Sequence, residues 1–381
     1  MTAEQDELSA SWHGEDVDAS VVERALGRLI QELTPPGEEG EPYPPARASV
    51  LSLIVRAPNG TGEARAIEAL GELAGLHPSR TLVVAMDPAA EPGLDASVMA
   101  HCRLRPGAPA RVCFEEVRLT ARGGMIGQVA SVVAPLLVPD LPVFLWWLAG
   151  HPEPEEELLP LCDRLIVDSS SLGPNGLIGL ERLAGALEGR VVVSDLAWSA
   201  LEPWRGVLAQ LFDPPEARPY QRRLSTVRLY YAAGGPAAHP LLLLGWLAAS
   251  LGWSAEALAG QATADGGRRM DFHGPGGAVD VSLNPVPSPG DGLDPGEMLA
   301  VTLVAGHGVQ QATFSVEREE DQLCAEVRTV LPGRAISAHT LSLARPSLAA
   351  LLSQELEQMA RAPLYHESLA WAGRIARGGG R

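Results

Sequence analysis

Apolar and polar positions change period along this chain, and the changes mark its elements. Residues 17–33 (VDASVVERALGRLIQEL) repeat at helical spacing, with Val21, Val22, Ala25, Leu29 and Leu33 on one stripe. The breaker segment TPPGEEGEPYPPA then stops the pattern. Strand and helix signals alternate after it. RASVLSLIV and SRTLVVAMD read as strands around the helix GEARAIEALGELAGL. ASVMAHCRLR and ARVCFEEVRLTA flank PGAP as a β-hairpin. IGQVASVVAPLL is predicted as a helix leading to the strand PVFLWWL. CDRLIVDSS, LIGLERLAGALE and RVVVSD form a strand–helix–strand series, and SALEPWRGVLAQLFD a further helix. Beyond DPPEARPYQRR come the strand TVRLYYAA and the apolar helix PLLLLGWLAASLG. Six short alternating segments from RRMDFHG to RAISAHTLSL follow, and a helix from about Ser347 to Met359 closes the pattern.

The fold class is therefore α/β. Residues 1–45 form an acidic arm with one helix, and 46–215 an α/β domain with a largely parallel, mixed sheet and flanking helices. Residues 216–381 form a smaller α+β domain with an antiparallel meander. Within PVFLWWL, neighbouring side chains of a strand point to opposite faces. Val143, Leu145 and Trp147 line one face and Phe144, Trp146 and Leu148 the other, as a central strand covered on both sides requires.

Composition narrows the function. The 46% hydrophobic and 20% charged fractions belong to an ordinary globular protein. The longest apolar runs fall short of a membrane span, and the acidic N-terminus is unlike a signal peptide, so a cytoplasmic location is expected. A formal charge of −18 opposes binding to nucleic acid. Half of it lies in residues 1–45, where eleven Asp and Glu face two Arg. The chain has no lysine: all 29 basic residues are Arg. Schiff-base chemistry, pyridoxal-phosphate attachment and the Walker A motif all need an amine that Arg cannot supply.

The candidate chemistry is sparse. RAPNGTGEARA sets Gly60 and Gly62 between a strand and a helix, with Asp87 ending the next strand. Arg65 stands where a dinucleotide fingerprint requires its third Gly, so no cofactor is expected. A hairpin turn centred between Gly107 and Ala108 puts Cys102 opposite Cys113, as two packed thiols or a strained, reducible pair. The nine His show no zinc spacing, so no metal site is expected. GGMIGQ reads as a helix start, and DSSSLGPNG lacks the Gly-x-Ser-x-Gly elbow. Arg222, Arg223, Arg268 and Arg269 are candidates for a sugar phosphate or simply surface charge. No catalytic set emerges.

Five segments in order carry a resemblance: HPSRTLVV (77–84), LLVPDLPVFLWW (136–147), CDRLIVDSS (162–170), DLAWSALEPWRGVLAQLFD (195–213) and HPLLLLGWLAASLGW (239–253). Together they resemble the glucose-6-phosphate dehydrogenase assembly protein (OpcA) family, from about Arg47 to the end of the second domain. The resemblance implies a non-catalytic partner of glucose-6-phosphate dehydrogenase that aids its oligomerisation or activates it in the oxidative pentose phosphate pathway. It assigns no role to the cysteines and no docking residues. Interface anchors favour Trp and Arg, which makes Trp147, Trp204 and Arg205 the partner-binding candidates. On a helix, Trp204, Leu208 and Leu211 share a stripe edged by Arg205, and the same stripe would equally suit packing on a sheet. A nucleotide-binding oxidoreductase and a sugar-phosphate sensor remain as alternatives.

Overall fold

The computed structural model describes residues 7–33, 49–58, 61–73, 77–104, 111–148, 150–255, 260–287, 293–319, 323–358, 360 and 362–378. In chain order the elements begin with β1 (Glu7–Gly14), α1 (Ala19–Glu32), β2 (Leu51–Arg56), α2 (Thr61–Leu73) and β3 (Ser79–Asp87). The hairpin β4 (Gly93–Leu104) and β5 (Arg111–Arg122) follows, then α3 (Val129–Val133), β6 (Val143–Trp147) and β7 (Arg164–Val167). Next are α4 (Gly176–Ala186), β8 (Val192–Asp195), α5 (Leu196–Ala200), α6 (Glu202–Gln210), β9 (Leu224–Ala232) and α7 (Ala238–Leu251). The chain ends with β10 (Gln261–Ala262), β11 (Arg268–Gly274), β12 (Gly277–Val286), β13 (Met298–Ala305), β14 (Ala312–Arg318), β15 (Cys324–Leu331), β16 (Arg334–Ser342), α8 (Leu348–Glu357) and α9 (Pro363–Arg377).

Two compact units result. Unit 1 comprises Met1–Val167, Leu187–Val193 and Leu348–Gln358; unit 2 comprises Asp168–Ala186, Ser194–Ser347 and Met359–Arg381. The chain passes between them several times, and position 215 lies inside unit 2.

The sheet of unit 1 runs β1-β4-β5-β3-β2-β6-β7-β8. Strands β5, β3, β2, β6 and β7 are parallel, and the β4–β5 hairpin adds an antiparallel pair. Strands β6 and β7 are buried throughout, which accounts for their continuous apolar runs. Helix α1 forms as the spacing predicts. The Asp18 carboxylate caps it by accepting from Val21 N at 3.0 Å, and Val22, Ala25, Leu26, Leu29 and Ile30 are buried. Helix α1 packs on β4, which buries Leu94, Ala96, Val98 and Ala100. Strand β1 was not legible in the polar arm: it joins the sheet edge through backbone pairing with β4, which needs no apolar alternation.

Two interior polar pairs brace this unit. The Arg80 guanidinium donates to Glu115 at 2.5 Å and to the Leu136 carbonyl at 2.8 Å. Arg164 lies 3.6 Å from Glu355 of α8, both almost fully buried. The predicted helix at 126–137 is a 3₁₀ turn, the short α3 and a second 3₁₀ turn, because Gly123 and Gly124 precede it, Gly127 lies in its first turn and Pro135 interrupts it.

The sheet of unit 2 runs β10-β11-β12-β9-β13-β14-β15-β16. Strands β13 to β16 form the expected antiparallel meander. Strand β9 enters between β12 and β13, parallel to the first and antiparallel to the second. One face is buried through Met270, Phe272, Val279, Val281, Val227, Leu229, Phe314 and Val316, at alternate positions. Helix α7 is apolar nearly all round and largely buried; Gly252 closes it in the left-handed conformation at φ 65°. Helix α9 packs on α7 and buries Tyr365, Leu369, Ala372 and Ile375, whose helical spacing was present in the sequence. The predicted helix at 199–213 is two helices: α5 ends at Ala200, and Pro203 sits in the first turn of α6, where its missing N–H costs nothing.

Candidate functional site

In unit 1 the strands that meet at the centre of the sheet end in polar side chains. Arg56 closes β2 and Trp147 closes β6, and the two are register partners. Their side chains share a face, with the Arg56 guanidinium 5.7 Å from the centre of the Trp147 ring. Trp147 is 4% exposed and Trp146, on the opposite face, 0%; both indole N–H groups are buried without a hydrogen-bond partner. Arg56 is half-buried. Its Nη1 donates to the Ala57 carbonyl at 2.5 Å, while its Nε has no partner. Burial lowers the Arg56 pKa, opposed by the charge of Glu156 in the loop after β6. Burial likewise raises the Glu156 pKa. His151 of that loop holds its Nδ1 2.9 Å from the Pro152 carbonyl and leaves Nε2 buried and unpartnered.

Of the dinucleotide candidates, Gly60 lies outside the described residues, and Gly62 and Arg65 fall in the first turns of α2. Asp87 accepts from Ala89 N at 3.1 Å and so closes its own turn. Strand pairing sets Cys102 opposite Cys113.

Unit 2 holds a second polar centre that sequence reasoning missed. Asp195 ends β8 and caps α5, its carboxylate accepting from Ser169 N at 2.9 Å and from Ala197 N at 3.0 Å. Complete burial pushes its pKa up to about 7 against the lowering effect of these bonds. Tyr365 Oη lies 3.5 Å away, and the Tyr365 ring packs on Trp198. Arg205 stacks on Trp198, its guanidinium carbon 3.6 Å from the ring centre, and donates to the Trp198 carbonyl at 2.6 Å. Burial lowers the Arg205 pKa to about 10. Trp204 is 3% exposed beneath Arg318, and Leu208 and Leu211 are buried with it. The stripe thus points inward. The signal for Asp195 was present as SDLAW, a capping residue between strand and helix; its burial was not.

The remaining candidates do not converge. Arg222 and Arg223 are exposed in a 3₁₀ turn, Arg268 donates to the Ile375 carbonyl at 2.7 Å, and Arg269 pairs with Asp280 at 2.6 Å. In DSSSLGPNG, Asp168 accepts from Ser170 N at 3.1 Å, making a capped turn. Burial pushes the Cys162 thiol up to about 12, and Cys324 is half-buried. Among the described residues no group of three or more His, Cys, Asp or Glu is placed to hold a metal.

The sheet of unit 1 is largely parallel, with β2 between β3 and β5 on one side and β6, β7 and β8 on the other, and β4 and β1 extending the β5 edge. It is joined to a unit built on an eight-stranded, largely antiparallel sheet. Residues 71–184 match the family model described as "Glucose-6-phosphate dehydrogenase subunit N-terminal domain", and residues 191–369 the corresponding C-terminal domain. The chain belongs to this OpcA family. It is 29% identical over 330 residues to the "Putative OxPP cycle protein OpcA" of Nostoc punctiforme, covering 81% of this chain and 69% of that protein. It is 29% identical over 290 residues to the protein of the same description from Synechococcus elongatus, covering 73% and 63%. The chain thus spans about two thirds of the length of these relatives. Among solved structures, the WlbA (WbpB) dehydrogenase of Thermus thermophilus aligns at 12% identity over 86% of this chain and 94% of that one. Its TM-score of 0.42 is too low to carry an argument.

Proposed function

We propose that this chain is a cytoplasmic, non-catalytic protein that binds glucose-6-phosphate dehydrogenase and promotes its oligomerisation or activity in the oxidative pentose phosphate pathway. The observation that carries the reading is the pair of family models matched in order, 71–184 and 191–369, both described by that dehydrogenase. The relatives described as OxPP cycle proteins support the same pathway. Among the described residues no helix is long and apolar enough to cross a membrane.

Of the partner-binding candidates, Trp147 and Trp204 are interior and Arg205 retains some exposed surface, so the edge of α6 at Arg205 is the first docking face to probe. The test mixes the purified chain with its cognate dehydrogenase and follows complex size by sedimentation and NADPH formation by absorbance. A complex should form, with higher activity or a larger tetramer fraction, and the chain alone should reduce no NADP. If the two proteins neither associate nor alter the rate, the reading fails.

A further inference from the structure

We infer that the crevice at the carboxyl ends of β2 and β6 binds a phosphomonoester, with Arg56 as its cationic anchor. Parallel strands on either side of this point send their connections in opposite directions, the arrangement at which open α/β sheets place ligands beyond their strand ends. Topology alone makes a place; the side chains give it a chemistry.

Arg56 carries a permanent charge at a half-buried position. Among the described residues no carboxylate lies within ion-pair distance of it; Glu156 acts on it only at longer range. One guanidinium N–H group is spent on the adjacent Ala57 carbonyl, and Nε is left without an acceptor. A partly desolvated cation without a bonded anion is costly, and an entering anion removes that cost. Trp147, nine-tenths buried with its ring against the guanidinium, has an unpartnered indole N–H.

The unsatisfied groups here, Arg56 Nε and the Trp147 indole, are both donors; donors select an oxyanion, and the planar guanidinium suits phosphate. A dinucleotide fits less well. Arg65 replaces the third glycine of the fingerprint, and Asp87, at the position that would take a ribose hydroxyl, already bonds Ala89 N. The inference does not depend on the dehydrogenase partnership, because its test contains no dehydrogenase.

Titration calorimetry on the full chain at low ionic strength, with inorganic phosphate, a hexose phosphate and NADP as separate probes, tests it. Inorganic phosphate and the hexose phosphate should compete for one saturable site. Arg56→Gln should weaken both by about tenfold or more and Trp147→Phe by a smaller factor, while Arg269→Gln leaves them unchanged. If Arg56→Gln does not fold, Arg56→Lys takes its place, because it keeps the charge and loses the planar fork. No binding at millimolar phosphate, unchanged affinity in a folded Arg56 variant, or binding of NADP alone would each overturn the proposal.

Discussion

Asp195 shows how a single residue combines a readable role with an unreadable environment. Its place before α5 follows from its ability to accept backbone N–H bonds; its pKa of about 7 follows from total burial. In the unfolded chain the carboxyl loses its proton near ~4, so between ~4 and about 7 only the folded state retains it. The stabilisation from this group is complete below the lower value and is lost as pH rises through the upper one. Asp195→Asn keeps an acceptor for Ser169 N and Ala197 N and removes the ionisation. Urea unfolding at stepped pH should therefore show a fall in stability toward neutral pH that the Asn variant lacks. Equal slopes in the two proteins would refute the assignment. Arg205 makes the opposite lesson: a residue chosen for its surface chemistry is mostly engaged with Trp198. Arg205→Glu should lower stability by about 1–3 kcal/mol in chemical denaturation, through the lost stacking and hydrogen bond. Its effect on dehydrogenase binding is therefore to be measured only where the variant is folded.

At the scale of elements, close approach and strand pairing decide what a sequence pattern can only suggest. A Cβ on Gly245 of α7 would collide with the Ser368 backbone carbonyl of α9. Gly245→Ala should then destabilise the protein by roughly 2 kcal/mol or more despite alanine's better helix propensity, whereas Gly185→Ala in α4, where a Cβ meets nothing, should not. Thermal unfolding of the two variants separates these outcomes. In the β4–β5 hairpin, the pairing of Cys102 with Cys113 follows from loop arithmetic because antiparallel register is fixed once the turn is placed. That register suits two packed thiols or a strained, reducible bond. Thiol titration separates them: an unchanged free-thiol count after mild oxidation leaves both as ordinary free cysteines, and two fewer free thiols than after reduction shows the bond.

At the scale of the whole molecule, the chain supplies each unit from several separate segments. Unit 2 takes in Asp168–Ala186 as well as Ser194–Ser347, so a fragment of residues 216–381 lacks helices α4, α5 and α6. Expressed alone, that fragment should show no sharp unfolding transition, while the full chain should unfold cooperatively; a cooperative fragment would mean that the connector near 215 bounds a self-sufficient domain.

The sequence by itself determined many of the elements, because local pattern decides them: α1 follows from its apolar spacing and capping Asp18, and β3, β6 and α7 from their apolar runs. It also determined that every basic side chain of these 381 residues other than histidine is a guanidinium, since all 29 Lys and Arg positions are Arg. Only the tertiary structure decided the rest. Strand β1 joins a sheet through backbone bonds that leave no apolar pattern, and β9 sits between β12 and β13 although it precedes both in the chain. Burial turned Trp147 and Trp204 inward, raised Asp195 toward neutrality and left Arg56 Nε without an acceptor at the strand ends. Periodicity reports which face of an element is apolar. What covers that face, and which polar groups are dried in the process, depends on residues far away in the chain.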